Sequence, residues 1–260
     1  MAEIIAVANQ KGGVGKTTTT INLAWAFKQA GNKVLVIDCD PQGNLTSYFG
    51  HEDPDIFDEE KKSISQCLLH DLPMSEVIIK GDIDLVPTGI ELADTAVLLT
   101  TNVLLDGASS LKYSIEEIKD SYDYILIDCA PALGVLLINA LTVANLVLIP
   151  VKTDSLSLKG LLGLTKSIKK IKVRINPALK ICGILPTIYH ANNNHDKKSL
   201  SLLQEEAQGS NIKVFEPIPS STNFDKSVDL AKPTLEAFPQ TKGIDGYTNV
   251  ADYIIKRLRN

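Results

Sequence analysis

Aromatic residues are scarce in this chain. Phe, Tyr and Trp make up 5% of 260 residues, and Trp25 is the single tryptophan. So few rings argue against a base-stacking platform for single-stranded nucleic acid. Positive charge is not in excess either: 26 Lys and Arg face 31 Asp and Glu, for a net charge of −5 and a pI near 5.4. That balance argues against constitutive, charge-driven nucleic-acid binding, while leaving room for a local basic patch. The cysteines, Cys39, Cys67, Cys129 and Cys182, are far apart and show no C-x-x-C spacing. Cys39, Cys129 and Cys182 lie in or beside apolar runs, so buried reduced thiols in a reducing, cytoplasmic setting are expected. No apolar run is long enough to span a bilayer, because the longest, 133–150, is broken by Asn139, Thr142 and Asn145. No signal peptide is expected ahead of the first strand, and no internal repeat or long low-complexity tract is visible.

Hydrophobic residues make up 44% of the chain, ample for the core of one large α/β domain or two smaller ones. The organising stretch is Lys11, Gly12, Gly13, Val14, Gly15, Lys16, Thr17 and Thr18. It follows a short apolar run, 4–8, which reads as a strand, and it opens a segment with helical character, 18–30. A Gly-rich turn between strand and helix points backbone N–H groups into one concavity, and the helix N-terminus adds partial positive charge there. The usual pattern G-x-x-x-x-G-K-[ST] needs a glycine at position 10, where this chain has Gln10. In its place stands K-G-G-V-G-K-T, with an extra lysine five residues before the usual one. Lys16 is placed to reach the β- and γ-phosphates and the Thr17 hydroxyl to ligate Mg²⁺.

Further along, 34–37 is a continuous apolar run suited to a parallel strand covered on both faces. It ends in Asp38, Cys39 and Asp40. Ligands collect at the carboxyl ends of strands in open α/β sheets, so both carboxylates should hang near the phosphate loop, although a strand-terminal Asp can also simply cap the next helix. The acidic stretch 51–62 reads as a solvated loop, with partner docking as the alternative. Strands are expected at 83–87, 124–128, 146–150 and 181–185, and helices at 63–69, 75–79, 89–99, 111–120, 156–171, 199–209 and 246–259. The strand 124–128 ends in Asp128, a Walker-B arrangement that places a second acid near the Mg²⁺ shell. Residues 130–134 form a small-residue loop able to sense a γ-phosphate. Lys166, Lys169, Lys170, Lys172 and Arg174 gather at the end of one helix. They either contact DNA or complement the helix dipole. The last helix, with Val250, Tyr253, Ile254 and Leu258 on its apolar side, either packs on the sheet or lies on a membrane, and packing is the expectation.

Taken together, the extra-lysine loop, the Asp-x-Asp-Pro-Gln strand end and the 123–131 segment D-Y-I-L-I-D-C-A-P resemble the ParA/Soj family of deviant Walker-A ATPases. The resemblance runs the length of the chain. It implies a single P-loop domain over 1–260, with a mostly parallel twisted sheet and helices on both faces, using ATP and Mg²⁺. By position, Lys16 matches the Walker lysine, and Lys11 the signature lysine that reaches across an ATP-bound sandwich homodimer. Asp40 matches the acid that positions the hydrolytic water, Thr17 the metal ligand, and Asp128 the Walker-B acid. Pro219 and Ser221 fall in the adenine-contacting segment, where Ser221 replaces a usual Asn. Ser220 and Asn223 stand where DNA-binding arginines are often found, and His190 where an acid is common. The implied function is partitioning of plasmid or chromosomal DNA, with non-specific duplex DNA and a ParB-like protein as partners and nucleoid association in the ATP state. The chain starts at its first strand, as in short forms without a helix-turn-helix domain. A MinD-like membrane ATPase shares the extra lysine but needs an anchor after its last packed helix, for which no residues remain. A nitrogenase-reductase-like redox ATPase would need a second cluster cysteine besides Cys129. A purely structural role leaves the acids and lysines without a purpose.

Overall fold

The computed structural model describes residues 1–51, 53–101 and 107–259. Six strands form one all-parallel sheet: β1 (Glu3–Val7), β2 (Val34–Cys39), β3 (Asp84–Val86), β4 (Tyr124–Cys129), β5 (Leu146–Lys152) and β6 (Lys180–Thr187). Their spatial order is β3-β2-β4-β1-β5-β6. The strands form because β-branched and apolar residues run unbroken through them, and such runs suit a sheet covered on both sides. Alternation then sorts the side chains. Ile4, Ala6, Leu35, Ile37, Ile125 and Ile127 join one core, whereas Ile5, Val34, Val36, Tyr124 and Leu126 join the other.

Helices Val135–Val143, Ser155–Arg174 and Asn194–Gly209 cover the first face. Helices Lys16–Gln29 and Asp245–Arg259 cover the second, where Phe27 stacks on Tyr124 with ring centroids 3.9 Å apart. Burying Phe27 completely contributes roughly 2–3 kcal/mol by area transfer. All four cysteines are buried free thiols. No helix among the described residues is long and apolar enough to cross a membrane.

Several expectations change in detail. The first helix begins at Lys16 rather than 18, because Gly15 takes the left-handed conformation (φ 77°) that ends the loop. Ala30 is exposed beyond that helix, and Leu258 is 46% exposed at the end of the last one. The segment 51–62 is not wholly a solvated loop. Ile56–Glu59 makes one helical turn, and buried Asp58 accepts a hydrogen bond from the Glu91 backbone N–H at 2.8 Å. Helix Val135–Val143 gave no periodic signal because it is apolar nearly all round. The segment 214–219 is extended. It closes the free edge of β6 through single bridges, Ile184 to Val214 and Tyr189 to Pro219.

That closure depends on Gly183. A Cβ there would lie 2.6 Å from the Phe215 ring and 2.9 Å from the Lys213 carbonyl oxygen. Gly183→Ala should therefore push the 214–219 segment off the sheet and destabilise the chain by about 1–3 kcal/mol, read as a lower urea midpoint.

Candidate functional site

The phosphate loop hangs between the carboxyl ends of three strands. Asn9, 1% exposed, donates from Nδ2 to the Pro150 carbonyl of β5 at 2.6 Å, and its Oδ1 accepts the Lys11 backbone N–H at 3.0 Å. On the other side, the Thr187 hydroxyl at the end of β6 donates to the Val14 carbonyl at 2.8 Å. Gly13 (φ 67°) and Gly15 (φ 77°) turn the chain into the helix. No side-chain cap closes that helix, so its first N–H groups face the concavity. Asn9 and Thr187 escaped the sequence reading, because each has its partner far away in the chain.

Register places the acids. Asp38 pairs with Asp128 across β2 and β4, and Asp128 pairs with Val7 on β1, at the foot of the loop. The Thr17 hydroxyl donates to Asp128 Oδ2 at 2.6 Å. Asp128 Oδ1 is buried without a hydrogen-bond partner, and Lys16 is 7% exposed. An acceptor oxygen left open beside a hydroxyl suits a hard cation that reaches the carboxylate directly or through water. Among the described residues there is no cluster of three metal-ligating side chains. Mg²⁺ is usually held by one or two protein oxygens together with waters and phosphates. Thr17, Asp40 and Asp128 are the side chains present to hold it.

Burial sets the electrostatics. Asp128 is pushed up to about 8, by burial first and then by the charge of Asp38, with the Thr17 hydrogen bond opposing. Asp38 is raised to about 7, again chiefly by burial. It nonetheless accepts three bonds: from Thr46 N and Thr46 Oγ1, each at 2.8 Å, and from Asp40 N at 3.2 Å. Those bonds fold the 40–46 segment over the site, and Asp40 Oδ1 accepts Gln42 N at 3.1 Å. A cavity of about 580 Å³ results, lined by Gly12, Gly13, Gly15, Lys16, Thr17, Thr18 and Asp40 among others, with Pro131 of the small-residue loop on its rim.

A second cavity of about 260 Å³ shares Gly15, Thr18 and Ile188 with the first and is lined by Pro219, Ser220, Ser221 and Phe224. Pro219 and Ser221 thus line a cavity that adjoins the phosphate loop. Between the cavities, Ile188 has φ 53°, an uncommon conformation for a β-branched residue and a mark of local strain. Lys11 is drawn aside. Its Nζ lies 2.6 Å from Asp154 Oδ2 of the same chain. His190 meets the acid Asp196, whose Oδ2 accepts the His190 backbone N–H at 2.9 Å. Asn223 turns inward and donates to Thr241 Oγ1 at 2.8 Å. Lys166, Lys169, Lys170, Lys172 and Arg174 are exposed and are not brought to this site. Their helix starts at the carboxyl end of β5 and runs about 30 Å towards the opposite end of the sheet.

The chain matches the AAA domain family over residues 2–181. It is 34% identical over 255 residues to the sporulation initiation inhibitor protein Soj of Bacillus subtilis, covering 96% of this chain and 97% of that protein. The chain belongs to the ParA/Soj family. It is also 35% identical to the chromosome partitioning protein ParA of Myxococcus xanthus, over 99% of this chain and 89% of that one. Among solved structures it is similar to cobyrinic acid a,c-diamide synthase of Mycobacterium smegmatis bound to ADP and magnesium, at 31% identity and TM-score 0.85, covering 100% and 96% of the two chains.

The raised carboxylates of this ParA/Soj-family chain carry a sign for stability. Asp38 and Asp128 hold protons in the folded chain at pH values where the unfolded chain has lost them. Their contribution is full below the ordinary carboxylate range and is lost as pH rises through about 7 to 8. The Tm of nucleotide-free protein should therefore fall between mildly acidic and mildly alkaline pH, and Asp128→Asn should flatten that fall. A Tm that instead rises across this range would contradict the assignment.

Proposed function

We propose that this chain is an ATP-dependent DNA-partitioning ATPase, working as one catalytic domain over 1–260 and requiring Mg²⁺. One observation carries the reading. The Thr17 hydroxyl, the open Asp128 oxygen and buried Lys16 converge at the N-terminus of a helix, in a chain that resembles Soj and ParA along its length. Bound Mg²⁺ would neutralise phosphate charge, with the Thr17 hydroxyl as ligand and Asp128 and Asp40 beside it. The backbone N–H groups of 12–17 hold the phosphates, and Lys16 stabilises the charge that shifts between them. Asp40 orients the attacking water. Pro219 and Ser221 hold the base.

Lys11 acts in trans in this reading, reaching the phosphates of a second copy in an ATP-bound sandwich dimer. In the single chain it is held by Asp154, an ion pair whose side chains are 33% and 26% exposed. A partly exposed pair of this kind contributes about 1 kcal/mol or less, so it restrains the lysine without locking it. A site completed only by a partner hydrolyses slowly, and stimulation by a ParB-like protein would set the time of release. Duplex DNA, bound without sequence preference, is the matrix, and the protein is cytoplasmic and nucleoid-associated in its ATP state.

The two lysines should separate in experiment. Lys16→Ala should weaken ATP binding at least tenfold, measured by calorimetry. Lys11→Ala should leave ATP affinity nearly unchanged and abolish ATP-dependent dimerisation in light scattering. Equal loss of ATP affinity in both variants would contradict the trans role. Non-specific duplex DNA should be retained with ATP·Mg²⁺ and released with ADP. Intact hydrolysis without DNA binding in either state would turn the reading towards a MinD-like ATPase acting on another surface.

A further inference from the structure

The positions where this family often carries DNA-binding arginines are occupied here by Ser220, which lines the base cavity, and Asn223, which bonds Thr241. Neither side chain is charged, so any charged DNA contact must come from elsewhere on a chain of net charge −5. Among the described residues, one seam pairs cations with hydrogen-bond donors. At the outer edge of β6, helix Asn194–Gly209 from one layer and helix Asp245–Arg259 from the other leave an open groove of about 780 Å³. Ile181, Cys182 and Val214 contribute its apolar lining. Its polar lining is Gln204, Gln208, Asn211, Lys213, Tyr253 and Arg257, and among the described residues no carboxylate lines it.

Those side-chain types are the ones that contact nucleic-acid backbones: two cations for charge, and amide and phenol groups to donate hydrogen bonds to phosphate oxygens. Lys213 and Arg257 are both exposed and line the same groove, with the Glu3 carboxylate also close enough to act on the buried Cys182 thiol. Lys213 is held in place by aromatic faces, its Nζ lying 5.2 Å from the Tyr253 ring centroid and 5.5 Å from that of Phe215. Lys180 adds positive field at the same end, where it and Arg257 both act on half-buried Glu3. The neighbouring cavity that shares Lys213 and Tyr253 is of mixed charge, bordered by Lys256 and by Glu216 and Asp252.

We propose that this groove, with Lys213 and Arg257 as its paired phosphate contacts, binds the sugar–phosphate backbone of duplex DNA. The inference rests on the DNA-partitioning reading above and gives it a surface. Cys182 lies five residues before Thr187 on β6, roughly 16 Å at strand spacing, so the groove stands clear of the phosphate loop. DNA and nucleotide can therefore be held together without competing for atoms.

The test uses the full-length chain with ATP·Mg²⁺ and fluorescence anisotropy on a random-sequence duplex across a salt titration. The double variant Lys213→Glu/Arg257→Glu should lose at least tenfold in DNA affinity, while ATP affinity and Tm stay near wild type. The milder Lys213→Gln/Arg257→Gln should lower the slope of log affinity against log salt by nearly two, about 0.9 for each phosphate contact removed. Lys213→Arg/Arg257→Lys should retain binding. The comparison variant is Lys166→Glu/Lys169→Glu, on the basic helix that the sequence singles out. If wild type binds DNA, the groove variants bind as wild type and the helix variant fails, the groove assignment is overturned and the partitioning reading stands. If wild type binds no DNA in either nucleotide state, the assignment and the DNA part of that reading fall together.

Discussion

Three carboxylates share the carboxyl ends of two adjacent strands, and the chain is organised around the cost of keeping them there. Asp38 and Asp128 sit side by side in register, buried, with Asp40 two residues on. Burying like charges in so small a space is unfavourable unless they are protonated, hydrogen-bonded or matched by a cation. The structure uses all three, since burial also keeps protons on Asp38 and Asp128 up to about 7 and 8. Thr46 and the Asp40 backbone satisfy Asp38, Thr17 satisfies one oxygen of Asp128, and Lys16 supplies the nearby positive charge. One Asp128 oxygen remains open. A site left short of positive charge in this way is ready for a metal–nucleotide complex.

The same constraint shapes the surrounding segments. Thr46 can satisfy Asp38 only if the chain after β2 folds back over the loop. Its hydroxyl in turn accepts the Thr88 backbone N–H at 3.1 Å, which ties that fold to the end of β3. The opposite wall is built by β5 and β6 through Asn9, Thr187 and the Lys11–Asp154 pair. Residues from both halves of the sheet thus meet at the one place where strand order diverges on either side of β1, where open α/β sheets hold ligands.

Much of this was legible beforehand, for reasons that can be named. The phosphate loop is written in contiguous residues whose backbone demands are local, and each apolar run ending in an acid marks both a strand and its carboxyl end. Helix Val135–Val143 was not legible, because a helix apolar nearly all round carries no 3.6-residue stripe. Asp58 was taken for a solvated charge and is buried, because its partner is a helix N-terminus at Glu91, 33 residues away. Asn223 and His190 could be seen as departures from a family pattern, but their partners Thr241 and Asp196 could not.

By itself the sequence determined a mostly parallel sheet, the loop, and the candidates Lys16, Thr17, Asp40 and Asp128, since these follow from local periodicity and short-range spacing. Only the tertiary structure decided that β2 neighbours β4, which sets Asp38 against Asp128, and that β5 and β6 supply the pins for the loop. It alone brought Lys213 and Arg257, 44 residues apart in the sequence, into one groove. Strand order and helix seams depend on which buried faces fit each other across long loops, and no contiguous stretch of residues carries that information.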